Sequence, residues 1–197
     1  MINKNGPQKG DSTKVDPIRS LDDIKSIHKL LSQEPRNDLL FTLGVHNGLR
    51  MCDLLRRKVY EVSSSRIGDS IPIVESKTGK QNILVVNKPV YKSLQKYLTF
   101  FKPDEDEYLF RSRQGDGPIC EDMARKLIKK WTSAINLRGR YGCHTPRKTW
   151  GYIQRVVFKV SFEVICKRYK HSSPRITMAY LGIEDKEVHD VLLNDFY

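Results

Sequence analysis

The chain has 197 residues, of which 39% are hydrophobic and 29% charged, which is enough to bury the core of one ordinary domain. Its 35 Lys and Arg residues outnumber its 23 Asp and Glu residues, and the resulting net charge of +12 favours a polyanionic partner. The sequence has neither the run of ~18–20 apolar residues that a membrane span needs nor the apolar segment of a secretory signal, so a cytoplasmic, nucleoid-associated protein is expected.

Residues 1–15 are polar and offer little to bury, so they are predicted to form a disordered tail ahead of one domain at residues 16–197. Ser20 can N-cap a first helix that begins at Leu21 and carries aspartates in its first turn. The apolar residues of this helix recur at helical spacing and are Ile24, Ile27, Leu30 and Leu31. Pro35 is expected to end it.

A second helix is predicted to begin near Asn37 or Asp38. It should end at Asn47-Gly48, a pair typical of a helix C-cap or a turn. A further short helix is expected over residues 52–57.

Three short runs rich in β-branched residues come next, at residues 59–62, 71–75 and 83–86. The last two are separated by the turn sequence Lys77-Thr78-Gly79-Lys80. This pattern predicts a three-stranded antiparallel sheet whose second hairpin is tight.

The rest of the chain is predicted to be helical, apart from a charged loop at residues 102–117. Pro89 opens one helix, and the others are expected at residues 121–137, 145–158, 161–169, 176–181 and 184–196. The predicted fold class is therefore mainly α with a small antiparallel sheet (α+β), in a single domain.

The positive charge is concentrated in one part of the chain. Residues 121–180 contain 14 Lys and Arg against 3 Asp and Glu, whereas the last 17 residues contain one lysine and five carboxylates. A stretch as basic as this is typical of a surface that contacts nucleic-acid phosphates. A solvated basic helix face is the alternative explanation.

Six residues suited to phosphate chemistry lie in short motifs. Arg50 ends a GLR tripeptide and Lys77 lies in SKTGK, while HTPR, KHSS and MAYLG supply His144, Arg147, His171 and Tyr180. The cations can neutralise a phosphate that a phenolic oxygen attacks, as phosphoryl transfer without a metal requires. In this order, from about Asp16 to the C-terminus, the sequence resembles the catalytic domain of the tyrosine recombinases, also called the phage integrase family.

The resemblance implies the tyrosine-recombinase catalytic-domain fold and a role for each residue. Arg50 and Arg147 would hold the scissile phosphate through bidentate guanidinium groups. His144 and His171 would donate hydrogen bonds to it or move protons. Asp53, three residues after Arg50, would hold the orientation of that arginine.

The resemblance also assigns the two ends of the broken bond. Tyr180 would attack the phosphorus and form a 3′-phosphotyrosine link, leaving a free 5′ hydroxyl. Lys77 would protonate the leaving 5′ oxygen, with Lys80 as the alternative acid. Tyr141 and Tyr197 are weaker candidates for the nucleophile because neither follows a His-Ser-Ser motif.

Two local features complicate this assignment. The Leu-Gly that usually precedes the second histidine is replaced by Tyr169-Lys170, a difference expected to affect the turn more than the chemistry. Cys143 stands beside His144 and suggests a thiol nucleophile, although adjacent residues rarely face each other. The four cysteines have no CxxC or metal-ligand spacing, so we expect reduced thiols, no metal and no cofactor.

The leading functional hypothesis is a site-specific DNA recombinase or integrase that cleaves and rejoins strands. A relaxing enzyme similar to type IB topoisomerases would use the same chemistry. The alternative from a different class is a basic DNA-binding protein without strand cleavage, either a regulator or an inactive relative. The sequence does not identify the target site or distinguish integration, excision and resolution.

The expected partner is double-stranded DNA, on which a homo-oligomer would assemble. Family members usually carry an N-terminal helical domain that closes around DNA, and its absence here predicts an excised catalytic domain or a naturally short enzyme. The acidic C-terminal segment would dock on a neighbouring protomer or fold back on its own domain. Its apolar stripe consists of Val188, Val191, Leu192 and Phe196.

Overall fold

A computed structural model describes residues 15–183 together with residues 189, 192, 193 and 195. The first half contains α1 (Leu21–Leu30), α2 (Pro35–Asn47), α3 (Met51–Leu55), a 3-10 helix (Val59–Glu61), β1 (Ser70–Val74), β2 (Gln81–Val85) and α4 (Lys88–Phe101). The second half contains α5 (Glu121–Ala134), α6 (Thr145–Val156), α7 (Phe162–Tyr169) and α8 (Pro174–Leu181). This confirms a mainly helical fold with a small antiparallel sheet.

Two expectations fall outside the part of the chain that the structure describes. The predicted N-terminal tail does so except for Val15, and so do nine of the thirteen residues of the predicted helix at 184–196. None of the described helices is long and apolar enough to cross a membrane.

The first helices begin and end where their capping residues predict. The Ser20 hydroxyl accepts hydrogen bonds from the backbone N–H groups of Asp22 and Asp23, which confirms the start of α1. The second helix begins at Pro35, slightly earlier than expected, because a proline is well tolerated in the first helical turn. It ends at Gly48, which has φ +59° and caps the helix in the left-handed conformation.

The sheet has two strands, so the prediction of a third strand at residues 59–62 was wrong. Val59–Glu61 is a 3-10 helix, in which residues three apart lie on the same side. Val59 and Val62 are accordingly both buried. The N–H groups of Val59 and Tyr60 donate to the carbonyls of Glu107 and Glu105, so this backbone pairs with a loop and not with β1.

The β1–β2 hairpin presents the turn that contains Lys77. Val74 pairs with Gln81 at the last position of the ladder. The turn is closed by hydrogen bonds from Glu75 N to Lys80 O (3.0 Å) and from Gly79 N to Glu75 O (2.8 Å). Gly79 has φ +66°, a conformation that glycine adopts without steric cost. The hairpin therefore holds Lys77 at its exposed tip.

The buried apolar side chains form two clusters. The larger one joins α1 to α5 with the sheet, and the smaller one lies under α6, α7 and α8. The smaller cluster consists of Tyr152, Ile153, Phe162, Ile165, Tyr169, Leu181 and Ile183. Helix α6 also packs closely on α2, since a Cβ added at Gly44 would lie 2.6 Å from Cβ of Pro146. The end of α2 and the start of α6 are thereby held side by side.

Gly151→Ala is expected to destabilise the domain. A Cβ at this position would lie 2.2 Å from the Tyr169 hydroxyl and 2.9 Å from Cζ of the same ring, which is itself fully buried. Overpacking of this kind costs about 1–3 kcal/mol. Urea unfolding should measure the loss, with Gly117→Ala as a control because nothing lies within 4 Å of a Cβ there. Equal stability of the two variants would contradict the packing described here.

Candidate active site

Arg147 is a buried cation at the start of α6. It is 3% exposed, and its guanidinium donates to the carbonyls of Gly48 (2.7 Å) and Tyr169 (3.1 Å). The guanidinium carbon also lies 4.4 Å from the centroid of the Tyr169 ring, within the range of a cation–π contact. Arg147 is therefore fixed by the ends of α2 and α7.

Arg50 lies immediately before α3 and is held by Glu75. Its Nη1 donates to Oε2 of Glu75 at 2.5 Å, and the side chains are 17% and 0% exposed. Burial alone would raise the pKa of Glu75. Hydrogen bonds from Thr78, Asn82 and Arg50, together with the charge of Arg50, outweigh that effect and lower the pKa to about 2. The carboxylate is consequently ionised at neutral pH.

Asp53, expected to orient Arg50, makes a different contact. It is buried, and its Oδ1 accepts a hydrogen bond from the backbone N–H of Ser76 at 2.7 Å. Its Oδ2 has no hydrogen-bond partner among the described residues. Asp53 thus anchors the beginning of the turn that contains Lys77, while Glu75 contacts the guanidinium of Arg50.

Tyr180, on α8, brings its hydroxyl to the start of α6. The hydroxyl oxygen is 3.4 Å from Nδ1 of His144. Burial raises the pKa of Tyr180, and this increase is partly offset by the charge of Arg147, by a hydrogen bond to Arg147 and by the charge of Arg50. The phenol is therefore protonated at neutral pH but lies beside groups that stabilise its anion.

His144 and His171 flank the ring of Tyr180. The pKa of His144 is lowered by desolvation and by the nearby cations, of which Arg147 contributes most. Burial, Arg147 and Arg50 lower the pKa of His171 to about 4. Nδ1 of His171 is 3.0 Å from the Thr177 hydroxyl, and its ring centroid is 5.3 Å from that of Tyr180. Both imidazoles are neutral at pH 7.

Lys77 lines the same cleft as Arg50 and His144. It is exposed at the hairpin tip, and its charge is one of the causes that lower the pKa of His144. Lys80, the alternative acid, is equally exposed and lies at the other end of the turn. The structure therefore places Lys77 in one cleft with Arg50 and His144, and His144 in turn lies beside Arg147 and the Tyr180 hydroxyl.

The other candidate nucleophiles are placed differently. The hydroxyl of Tyr141 donates to the carbonyl of Arg138 at 3.0 Å, and the ring belongs to the larger core cluster. Tyr197 lies outside the described residues. The Cys143 thiol donates to the Glu121 carbonyl, and burial raises its pKa to about 11, which disfavours the thiolate.

The turn before His171 is formed by Tyr169 and Lys170. Lys170 has φ +57° and caps α7 in the left-handed conformation, which glycine would adopt most easily. Tyr169, directly before it, is fully buried and contacts Arg147, Tyr180 and His171 through its ring. The Tyr169-Lys170 pair thus ends α7 directly before His171 and packs the Tyr169 ring against the site.

Sequence reasoning did not identify four residues around the site. Nζ of Lys148 is 4.8 Å from the centroid of the Tyr180 ring. Arg168 donates to Asn47 O, to Asn82 Oδ1 and to Ile83 O, and Asn82 donates to Glu75. A signal for Glu75 existed, since it is a carboxylate at the end of an apolar strand and directly before the SKTGK turn. Lys148, Asn82 and Arg168 have no comparable local signal.

Known proteins share sequence and fold with this chain. Residues 20–187 match the Phage integrase family. The chain belongs to this family. The Probable integrase/recombinase YoeC of Bacillus subtilis (strain 168) is 34% identical over 174 residues, which are 87% of this chain and 91% of that protein. Tyrosine recombinase XerD of Rickettsia bellii (strain RML369-C) is 32% identical over 131 residues, 59% of this chain and 43% of that protein.

Solved structures confirm the fold of this integrase-family chain. XerA recombinase superimposes with a TM-score of 0.73 at 19% identity, over 92% of this chain and 67% of that one. A lambda integrase dimer bound to a COC′ core site gives a TM-score of 0.63 at 17% identity, over 85% of this chain and 59% of that one. The predicted tyrosine-recombinase catalytic-domain fold is therefore correct, with the sheet reduced to two strands.

The stability of this integrase-family domain is expected to depend on the ionisation of Glu75. A pKa lowered from 4.5 to about 2 on folding is worth about 3 kcal/mol. That stabilisation is present above the unfolded-state pKa and is lost as the pH falls from about 4.5 towards 2.

Urea unfolding between pH 2.5 and 7 should show this dependence. In Glu75→Gln the decline in the free energy of unfolding below pH 4.5 should be shallower than in the wild type. Asp106→Asn, at an exposed loop position, controls for the loss of one carboxylate. Parallel curves for the wild type and Glu75→Gln would contradict the assignment.

Proposed function

We propose that this protein is a site-specific DNA strand transferase that cleaves and rejoins DNA through a 3′-phosphotyrosine link on Tyr180. The observation that carries the proposal is the position of the Tyr180 hydroxyl, which lies 3.4 Å from Nδ1 of His144 and close enough to Arg147 for that charge to oppose the rise in its pKa. A phenol is a useful nucleophile only where a base can take its proton and where cations stabilise the negative charge that develops in the transition state. Both conditions are met at this position.

The two arginines form the phosphate site. Arg147 is fixed by backbone carbonyls and Arg50 by Glu75, so neither guanidinium needs to be ordered when DNA arrives. Preorganised donors of this kind stabilise the extra negative charge on the non-bridging oxygens of a pentacoordinate phosphorus. The resemblance to tyrosine recombinases supports the same role for both residues.

Attack by the Tyr180 oxygen forms the new bond to phosphorus and breaks the bond to the 5′ oxygen. The phenolic proton passes to the neutral imidazole of His144. The leaving 5′ oxygen takes a proton from Lys77, and His171 donates a hydrogen bond to a non-bridging oxygen. Since a phosphodiester is exchanged for another phosphodiester, the 5′ hydroxyl of a second strand can reverse the reaction and join the DNA.

Double-stranded DNA is the proposed partner, bound by a homo-oligomer in the cytoplasm at the nucleoid. Two observations support this. The basic stretch at residues 121–180 includes α5 to α8, which frame the site. Structures similar in fold include a lambda integrase dimer bound to a core site and a tetramer bound to a Holliday junction.

Tyr180→Phe is expected to abolish covalent capture of DNA while leaving DNA binding nearly unchanged, because only the phenolic oxygen is removed. The substrate is a nicked duplex that has been selected from a randomised library by non-covalent binding to the wild-type protein. The adduct is measured as a complex that resists SDS and disappears on proteolysis.

Tyr141→Phe is the matched control and should form the adduct normally. An adduct with Tyr180→Phe would move the nucleophile elsewhere. If the wild-type protein binds DNA but forms no adduct, the alternative of a DNA-binding protein without strand cleavage is supported.

Lys77→Ala is expected to slow cleavage by about 10²–10⁴-fold, the usual contribution of a general acid. Replacing the leaving 5′ oxygen with sulfur should restore the rate, because a thiolate departs without a proton. Lys80→Ala is the matched control from the same turn and should cleave both substrates at the wild-type rate. If Lys80→Ala is the variant that sulfur rescues, Lys80 is the acid.

A further inference from the structure

Glu75 occupies a position between two parts of the site that have different tasks. Its side chain is fully buried at the end of β1, with Arg50 on one side and the turn containing Lys77 on the other. Its backbone belongs to that turn, since Glu75 N donates to Lys80 O and Glu75 O accepts from Gly79 N. Any shift of this residue would move the turn as well as the side chain.

The two carboxylate oxygens are shared among three donors. Oε2 accepts from Nη1 of Arg50 at 2.5 Å and from the Thr78 hydroxyl at 2.7 Å. Oε1 accepts from Nδ2 of Asn82 at 2.7 Å. One oxygen atom thus holds both a phosphate-binding guanidinium and the residue that follows Lys77.

The contact network continues to the second arginine. Oδ1 of Asn82 accepts from Nη1 of Arg168 at 2.9 Å, and Nη2 of Arg168 donates to Asn47 O at 2.6 Å. The carbonyl of the next residue, Gly48, accepts from Arg147 at 2.7 Å. Charge-assisted hydrogen bonds, joined through the peptide link between Asn47 and Gly48, therefore connect one arginine to the other.

We propose that Glu75 is a positioning residue, which sets the guanidinium of Arg50 and the Lys77 turn relative to each other so that phosphate binding and protonation of the leaving group act on one phosphodiester. The proposal rests on the function proposed above. Glu75 is buried beneath Arg50 and acts through it and through Thr78, without contact to the substrate. Its pKa, lowered to about 2, keeps the carboxylate charged at neutral pH.

Two variants distinguish the contact of Glu75 with Arg50 from its contact with Thr78. Glu75→Gln keeps the shape of the side chain but replaces one acceptor oxygen with an NH₂ donor, so the three donors cannot all be satisfied. Thr78→Val removes only the hydroxyl that ties the turn to Glu75 and leaves the Arg50 contact in place. Asp38→Asn is the matched control, because Asp38 also accepts from two side chains, His28 and Ser93, in a different part of the domain.

Single-turnover cleavage is measured with 5′-oxygen and 5′-sulfur substrates. Glu75→Gln should slow cleavage of the oxygen substrate about 10–100-fold, the usual effect of losing a residue that orients a catalytic group, with little change in the Kd for DNA. The 5′-sulfur substrate should restore the cleavage rate of Thr78→Val fully. It should restore that of Glu75→Gln only in part, because Arg50 remains displaced in this variant. Asp38→Asn should lose stability but keep its rate.

Three kinetic results would overturn the proposal. Glu75→Gln could cleave at the wild-type rate. Its cleavage could also be slowed no more than that of Asp38→Asn when the two variants are compared at equal stability. Either result would make the role of Glu75 purely structural. If the 5′-sulfur substrate restored the cleavage rate of Glu75→Gln fully, Glu75 would act only on the turn that contains Lys77 and not through Arg50.

A second measurement does not depend on strand cleavage. The ¹⁵N resonances of the Arg50 guanidinium, assigned with Arg50→Lys, report whether its rotation is restrained. Restraint should be present in the wild type and in Thr78→Val and lost in Glu75→Gln. An unchanged Arg50 signal in Glu75→Gln would overturn the positioning role. If the wild type forms no covalent adduct, the proposed function fails, and this measurement still decides the role of Glu75.

Discussion

The site depends on the hydrogen bonds that the buried guanidinium of Arg147 donates to backbone carbonyls. A cation taken out of water must be matched by acceptors, and here these are the carbonyls of Gly48 and Tyr169. They belong to the ends of α2 and α7, so both helices have to end beside the first turn of α6. Arg50, two residues after Gly48, is brought to the same place by this junction.

The concentration of positive charge also sets the state of the two histidines. His144 and His171 have lowered pKa values because burial and the arginines disfavour a further cation. Neutral imidazoles can accept as well as donate protons, which suits the proposed reaction, in which a phenol loses one. A phosphate bound there would oppose the repulsion and raise the proton affinity of both rings, so in that reaction the arrival of the anion would favour proton transfer from Tyr180.

Much of this arrangement could be predicted from sequence because it depends on local patterns. Ser20 and Gly48 define helix ends through their own side-chain and backbone chemistry, and the prediction was correct at both. Val59 to Val62 was predicted as a strand because its composition suits one. The run forms a 3-10 helix because its N–H groups pair with a loop more than forty residues away, which no local pattern encodes.

The partner of Arg50 was missed for a related reason. Asp53, three residues after Arg50, was expected to hold this arginine because the family resemblance implies an acidic residue at that position. Glu75 is distant in sequence and reaches Arg50 only because β1 ends beside α3. Spacing along one element can be read from a sequence, whereas contacts between elements depend on how the whole domain packs.

The cap of α7 is formed by a residue that carries a long, charged side chain. Lys170 adopts φ +57°, a conformation that costs a side-chain-bearing residue roughly 1 kcal/mol and glycine almost nothing. Lys170 stands directly before His171 and carries an ammonium group that glycine would lack. At this helix end the chain accepts a cost in backbone energy that glycine would avoid, so Lys170→Gly would ease the turn before His171 and remove one charge from the basic stretch at residues 121–180.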